Sequence, residues 1–170
     1  AHMRFFPGSH DLGHIFNNSY GHAYRLENKP EDLEILLDAG NTLIKRYNPT
    51  VQAIQSWDTD KGWQSQRGWS FPVSIGNMMT LELLFRLSEW TGDSKYADVA
   101  VAHANTTMKN FFRNDYSSYH VVDFDVNSGN PLSFETAQGY SDESSWTRGQ
   151  AWGLYGFTTV YAFTKDKKYL

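Results

Sequence analysis

Three times in 170 residues, polar side chains capable of chemistry stand where a mostly apolar helix is predicted to begin. These starts lie around Asp11, Gly76 and Arg148, at intervals of 65 and 72 positions. Such an interval is too long for one helix and suits a helical hairpin with its loops. Self-similarity at a fixed period indicates stacked supersecondary units, so we expect the three helix starts to gather at one end and share one site.

The predicted helices come in pairs, which cover residues 14–26 and 30–47, residues 77–90 and 95–112, and residues 146–163 with only a short stretch after them. Pro30 suits the first position of the second helix. In each pair the first helix is apolar nearly all round and the second is amphipathic, so we expect the first inside and the second outside. This pattern predicts an all-α fold, an α/α toroid.

Long loops connect the pairs, over residues 48–75 and 114–144. Within the second loop, the alternating segment 119–125 predicts a short strand, and 127–131 predicts a turn. Loops of this kind usually carry function. Only about two and a half hairpins are present, so we expect residues 1–170 to be an incomplete portion of one larger toroidal domain.

Composition excludes several classes of protein. A net charge of −4 without a basic run argues against nucleic acid, and no stretch reaches the roughly 18 apolar residues that span a bilayer, so neither nucleic acid nor membrane is an expected partner. The absence of cysteine leaves bacterial cytoplasm and periplasm both open. An aromatic content of 16% suits a groove that binds sugar.

The histidines form no metal-ligand motif backed by carboxylates, so neither a metal nor a cofactor is expected. The oligomeric state cannot be deduced from the sequence.

Four motifs together resemble a known family. They are His-Asp-Leu-Gly at 10–13, Ser-Tyr-His at 118–120, Gln-Gly at 138–139, and Trp-Thr-Arg-Gly-Gln-Ala-Trp-Gly-Leu-Tyr-Gly-Phe at 146–157. In this order they are similar to the unsaturated glucuronyl hydrolases, glycoside hydrolase family 88. The resemblance implies an (α/α)6-barrel catalytic domain, of which residues 1–170 would be a portion with about two and a half hairpins.

The resemblance also implies an activity. Enzymes of this family remove the 4,5-unsaturated uronic acid that polysaccharide lyases leave at the non-reducing end of oligosaccharides, here of glycosaminoglycan type. Cleavage proceeds by hydration of the C4–C5 double bond, in which one aspartate delivers the proton and activates water, without a metal. Arg-Gly-Gln-Ala-Trp at 148–152 favours this family over the unsaturated rhamnogalacturonyl hydrolases, which remain an alternative.

By the resemblance, Asp11 matches one of two essential aspartates, and His120, Gln138, Arg148 and Trp152 match residues that contact the substrate. The physical chemistry agrees with these roles. Arg148 at the opening of a helix suits the carboxylate of a uronate. Trp152, one turn further along the same face, offers a flat apolar wall for a sugar ring.

The second essential aspartate is missing. The family places it just before a helix of the form Asn-Met-Met-Asn-Leu-Glu-Leu-Leu, and here Gly76 precedes Asn-Met-Met-Thr-Leu-Glu-Leu-Leu at 77–84. The matching residues on that side favour a real substitution over a wrong alignment. Glycine cannot transfer a proton, so Asp142, shortly before Arg148, is the reserve acid. The alternative function is a catalytically silent protein that binds carbohydrate.

Each candidate also has a simpler interpretation. Asp11 could be the N-cap of its helix, because Asp is among the best capping residues. His120 could be a hydrogen-bonded packing residue, and Arg148 could pair with a carboxylate of its own loop. Trp152 could belong to the core, which is also our expectation for Trp146.

Overall fold

The computed structural model describes residues 2–5 and 8–170. Its α-helices are α1 (Leu12–Phe16), α2 (His22–Glu27), α3 (Pro30–Ile44), α4 (Leu81–Thr91), α5 (Lys95–Asn110) and α6 (Thr147–Thr164). A π-helical turn, Asn17–Gly21, joins α1 to α2 without a break. Two helical hairpins are therefore present, α1–α2 with α3 and α4 with α5, followed by α6.

The helices that open the three repeats end in the same way. Each stops on a residue with left-handed backbone: Asn28 with φ of 52°, Gly92 with 74° and Lys165 with 58°. At each of these residues the backbone N–H bonds back into the last helical turn. This C-cap reverses the chain. The spacing predicted from the sequence thus corresponds to a repeated helix-and-turn unit.

Helix α4 lies at the centre of the packing. It contacts α1 and α6 on either side, and it also contacts α3 and α5. Its apolar residues Leu81, Leu83, Leu84, Phe85 and Leu87 are buried between these neighbours. The first helices therefore form one layer and the second helices another, which is the arrangement of an α/α toroid that the sequence predicts.

The three first helices meet at a 3-10 turn, Ile75–Thr80, that leads into α4. A Cβ on Gly13 of α1 would lie 2.4 Å from Thr80 Cβ, and a Cβ on Gly156 of α6 would lie 2.4 Å from Met78 Cβ. Only glycine permits this approach, so α1 and α6 both press against the turn. Gly76 is thereby held between them.

This 3-10 turn corrects the predicted start of the second hairpin at residue 77. The Ser74 hydroxyl accepts a hydrogen bond from Gly76 N (3.1 Å), and Thr80 Oγ1 donates to Asn77 O (2.9 Å). Side chains that bond to nearby backbone compete with α-helical hydrogen bonds. The α-helix consequently begins only at Leu81.

Two small antiparallel sheets organise the long loops. Their strands are β1 (Tyr47–Asn48) with β2 (Ala53–Ile54), and β3 (Pro72–Ser74), β4 (Val121–Phe124) and β5 (Pro131–Glu135) in that spatial order. Val73 pairs with Val122, which pairs with Phe134. The strand predicted within 119–125 is β4, and it is buried along its whole length. The sheet joins both long loops.

Helix α6 has few completely buried side chains. Its buried residues are Gly149, Gly153, Gly156 and Val160, whereas Leu154 is 73% exposed. An open groove of about 500 Å³ runs along it, lined by apolar residues that include Phe112 and Phe157. Among the described residues, no helix is both long enough and apolar enough to cross a membrane.

Candidate active site

The residues predicted to form a site converge where the first helices begin. A Cβ built on Gly76 would lie 3.0 Å from Trp152 Cζ3 and 3.1 Å from His10 Nε2. His10 Nε2 is in turn 3.6 Å from Asp11 Oδ1, and the Arg148 guanidinium carbon is 5.4 Å from the centre of the Trp152 ring. Neighbouring residues therefore connect Asp11 to Arg148 by way of His10, Gly76 and Trp152.

The Asp11 carboxylate is available to a ligand. Asp11 occupies the N-cap position of α1, as the simpler interpretation predicts, but its side chain makes no capping hydrogen bond to the helix. Instead, Oδ2 accepts a hydrogen bond from Ser9 Oγ (2.9 Å), and Oδ1 lies 3.6 Å from His10 Nε2 and 4.0 Å from His14 Nδ1. The side chain is 48% exposed. Ser9 therefore holds one oxygen of the carboxylate, and the side chain remains accessible to a ligand.

His10 is only 4% exposed and lies behind Asp11. Its Nδ1 donates to the Ser56 carbonyl oxygen (3.2 Å), which also accepts from His10 N (2.9 Å). Burial lowers the pKa of His10 to about 4, although the Asp11 charge acts in the opposite direction. The ring is therefore neutral near pH 7, with its proton on Nδ1 and a lone pair on Nε2.

His120, just before β4, carries its proton on the opposite nitrogen. Its Nδ1 accepts hydrogen bonds from Ala137 N (3.0 Å) and Gln138 N (3.3 Å), so Nε2 is the protonated atom of the neutral ring. Burial, and then the nearby Arg148 charge, lower the pKa of His120 to about 4. The ring packs on Trp146 with centroids 4.1 Å apart. His120 is a hydrogen-bonded packing residue with one N–H left to donate.

Arg148 is the cation of the site. Its Nη2 donates to Gln138 Oε1, and its guanidinium lies 4.3 Å from the Trp146 ring centre. Among the described residues, no carboxylate oxygen lies within 4.0 Å of this guanidinium, so the interpretation of Arg148 as paired with its own loop is wrong. Because Arg148 stands in the first turn of α6, the helix dipole adds to its attraction for an anion.

Two tryptophans support Arg148. Trp146 and Trp152 meet edge to face, with ring centroids 5.2 Å apart. Trp146 was expected in the core, but it is only half buried and contacts both His120 and Arg148. The expectation for Trp146 is therefore wrong, because hydrophobic periodicity does not distinguish a core position from one that lines a site. Trp152, also half buried, forms the wall beside Gly76.

The reserve acid Asp142 lies in a surface loop. Its Oδ1 accepts a hydrogen bond from Thr136 N (2.7 Å), and its carbonyl oxygen accepts from Arg113 Nη2 (2.8 Å). In the described part of the chain, the hydrogen bonds of this carboxylate all belong to that loop. Asp142 therefore supports its own loop, and among the described residues no hydrogen bond or ion pair joins it to Asp11.

An aromatic cluster that the motifs do not predict lies beside His10. Trp57 meets the His10 ring at 5.6 Å, and the Trp57, Trp63 and Trp69 rings lie 5.4 to 5.8 Å apart. The Arg67 guanidinium lies 5.7 Å from the Trp63 ring centre. The spacing of six residues between these tryptophans is the signal that would have indicated a shared cluster.

Across residues 2–5 and 8–170, no three His, Asp or Glu side chains are grouped so that they could hold a metal ion.

Comparisons with known proteins identify the relatives of this chain. No family model matches it. It is 44% identical over 165 residues to an unsaturated glucuronyl hydrolase of Formosa agariphila, an alignment that covers 95% of this chain and 40% of the relative. The chain thus spans about two fifths of the length of the curated relative.

Solved structures agree. An unsaturated glucuronyl hydrolase specific for heparin superimposes with a TM-score of 0.92 at 46% identity, over 99% of this chain and 43% of that one. A variant of an unsaturated glucuronyl hydrolase from Streptococcus agalactiae, complexed with dGlcA-GalNAc6S, matches with a TM-score of 0.70 at 36% identity, over 94% and 36% of the two chains. These similarities confirm the resemblance found in the motifs, and they confirm the α/α toroid.

Proposed function

We propose that this chain, a homologue of the unsaturated glucuronyl hydrolases over nearly all of its residues, is part of an (α/α)6-barrel glycoside hydrolase. The proposed reaction removes a 4,5-unsaturated uronic acid from the non-reducing end of lyase-generated glycosaminoglycan oligosaccharides. One observation carries the proposal: Asp11 and Arg148, from two different helix starts, flank a single position beside Trp152.

Each side chain suits one part of an unsaturated uronate. The guanidinium of Arg148 can bind the carboxylate through two parallel hydrogen bonds, which a helix N-terminus favours further. The C4–C5 double bond flattens the sugar ring, so its face matches the indole of Trp152. Asp11 accepts hydrogen bonds from ring hydroxyls, and His120 and Gln138 add donors on the Arg148 side.

The reaction consists of proton transfers and the addition of water. A proton adds to C4, the water oxygen bonds to C5, and the remaining water proton leaves to a base. The hemiketal so formed opens to a ketone at C5 and leaves a hemiacetal at C1. Collapse of that hemiacetal to an aldehyde breaks the C1–O bond and releases the rest of the oligosaccharide. No electron donor or acceptor takes part, so the enzyme must supply a correctly placed proton carrier. At position 76 this chain offers only a backbone.

Gly76 favours a second candidate function. A protein that keeps Arg148, Trp152, Gln138 and His120 but lacks the expected acid can hold the sugar without cleaving it. Under this alternative the chain belongs to a catalytically silent carbohydrate-binding relative.

The test uses the full-length protein and its Gly76→Asp variant with unsaturated chondroitin, heparin and rhamnogalacturonan disaccharides. Hydrolysis is measured as the loss of ultraviolet absorbance from the double bond, and binding by calorimetry. Hydrolysis of a glycosaminoglycan disaccharide by the protein itself supports the proposed function. Hydrolysis by Gly76→Asp alone supports the silent alternative. Binding by both proteins without hydrolysis supports the silent alternative, and hydrolysis confined to the rhamnogalacturonan product assigns a different uronide. If neither protein binds any of these sugars, both candidates are wrong.

A further inference from the structure

Two acid–base side chains lie side by side where Gly76 supplies none. His10 Nε2 is 3.6 Å from Asp11 Oδ1 and 3.1 Å from the point at which a side chain on residue 76 would begin. The separation of Nε2 and Oδ1 is slightly longer than a hydrogen bond. The pair therefore occupies the position next to the missing acid.

Hydrogen bonding fixes the orientation of His10. Because Nδ1 donates to the Ser56 carbonyl oxygen at 3.2 Å, Nε2 is the atom that can accept a proton. Ser56 is itself held, since its Oγ donates to Asn77 Oδ1 (2.6 Å) and accepts from Ser74 N (2.7 Å). This network ties the start of α1 to the turn that contains Gly76. Nε2 is thereby held near both residue 76 and Asp11 Oδ1.

The two side chains differ in solvent exposure. Asp11 is 48% exposed and can reach a bound sugar, whereas the His10 side chain is 5% exposed and lies behind it. A proton placed between Oδ1 and Nε2 is thus delivered through Asp11 and stored on His10.

We propose that Asp11 and His10 act as one proton-transfer pair, with Asp11 as the catalytic acid and base and His10 as the positioning residue that holds its proton. This inference rests on the proposed function, because it assigns the hydration step to the pair in place of the side chain missing at position 76.

The step balances without a further reactant. Protonated Asp11 donates its proton to C4, and the electrons of the double bond form the C4–H bond. The positive charge that develops at C5 is shared with the ring oxygen. Water then forms the C5–O bond and returns one proton to the Asp11–His10 pair, which restores the starting state. The net change is the addition of one water molecule.

The surroundings of His10 determine the pH at which the pair holds its proton. The titratable and charged groups that act on His10, or feel its charge, are Asp11, His14, Arg46, His103 and His120. Burial lowers the pKa of His10 to about 4, and Asp11 is the charge that opposes this. Because the proton is lost as pH rises, we expect the rate to fall by about tenfold per pH unit toward neutrality.

The experiment measures kcat/KM for the unsaturated disaccharide from pH 5 to 8 in the full-length protein and in His10→Asn, His10→Gln and His14→Gln. The asparagine amide can still donate to Ser56 O but lacks Nε2. We expect both His10 variants to lower kcat at least tenfold, with KM nearly unchanged, and to lose the pH dependence. His14→Gln removes the other imidazole near Asp11 but keeps His10, so it should retain the fall in rate with rising pH that both His10 variants lose. Thermal melting verifies that each variant is folded.

Two results would overturn the proposal that Asp11 and His10 act as a proton-transfer pair. One is a wild-type pH profile in a folded His10 variant. The other is hydrolysis by Gly76→Asp with none by the wild type, which removes the role of the pair and supports the silent alternative, while the sugar site itself remains. Failure of every variant to bind the sugar overturns the proposed function itself. The outcomes of the two proposals are therefore distinguishable.

Discussion

The two walls of the site differ in how many residues of the family motif they contain. The binding wall, formed by His120, Trp146, Arg148 and Trp152, keeps the motif residues of the family and holds a guanidinium that no carboxylate in the described chain neutralises. The proton wall, formed by His10, Asp11 and Gly76, has one carboxylate where the family motif predicts two. Under the proposed function, recognition and proton transfer depend on different helix starts, and we expect that they can be altered separately.

The largest expected effect comes from restoring a carboxylate to the proton wall. Gly76→Asp should raise the hydrolysis rate by about 100-fold or more, the usual contribution of a placed acid–base group. Because the new Cβ lies 3.0 to 3.1 Å from Trp152 and His10, these side chains must shift by a few tenths of an ångström. Ultraviolet assays on an unsaturated disaccharide measure the gain.

Gly76→Asn is the matched control for this prediction. It has the same shape but no proton to transfer, so its rate should stay at or below that of the wild type. An equal gain from the asparagine variant would show that space, rather than a missing acid, limits the wild-type chain.

The next effect concerns the binding wall. Arg148→Ala should weaken binding of an unsaturated disaccharide by about 10- to 100-fold, because a charge-assisted hydrogen bond contributes roughly 1.5–3 kcal/mol. Calorimetry measures the dissociation constant. Arg86→Ala, which removes a guanidinium paired with Glu89 on α4, should leave it unchanged. Equal losses in both variants would mean that Arg148 acts only through the overall charge.

The third prediction concerns the pH dependence of folding stability. Each wall of the site carries a buried neutral histidine. Burial lowers the pKa of His10 and of His120 to about 4, and that of His103 in α5 to about 3. The unfolded chain, with histidine pKa values near 6.5, binds more protons below that pH than the folded chain does. Stability should therefore fall as pH drops from 6.5 toward 4, by up to about 1.4 kcal/mol per pH unit for each histidine.

Urea unfolding at pH 7 and pH 5 tests this expectation. In His103→Asn, whose amide oxygen can still accept from Ile54 N, the difference in unfolding free energy between the two pH values should shrink. This histidine belongs to neither wall, so the variant measures the contribution of burial alone. A stability that does not change between the two pH values would contradict the assignment of neutral buried imidazoles.

The smallest expected effect is a change in sugar binding when Trp146 of the binding wall is replaced by phenylalanine. Trp146→Phe keeps an aromatic face under Arg148 and beside His120, with a weaker cation–π attraction. Binding should weaken by less than about 5-fold, in line with cation–π energies of roughly 0.5–1 kcal/mol. A loss as large as that of Arg148→Ala would assign Trp146 a direct contact with the sugar.

The sequence predicts the convergence of the site because the evidence for it is local and periodic. Helix starts that recur at nearly equal intervals must lie at the same end of a stacked array, so Asp11, Gly76 and Arg148 could be brought together without coordinates. The left-handed residues at Asn28, Gly92 and Lys165 show that the repeat extends to the turns.

What the sequence does not reveal depends on contacts between distant residues. The β3–β4 pairing joins Val73 to Val122, and neither segment indicates its partner. The position of His10 depends on a carbonyl oxygen at Ser56, 46 residues away, so its tautomer could not be inferred from the motif. Trp146 follows the same apolar pattern as a core residue. Only the structure shows that it packs against His120 and Arg148 at the site.

The most direct measurement is a crystal structure of the full-length protein with an unsaturated glycosaminoglycan disaccharide bound. We expect the uronate carboxylate on Arg148, the ring face on Trp152, and a ring hydroxyl or C4 within reach of Asp11. A sugar that contacts Arg148 while Asp11 faces solvent, or one that binds elsewhere on the molecule, would contradict a single site shared by the helix starts.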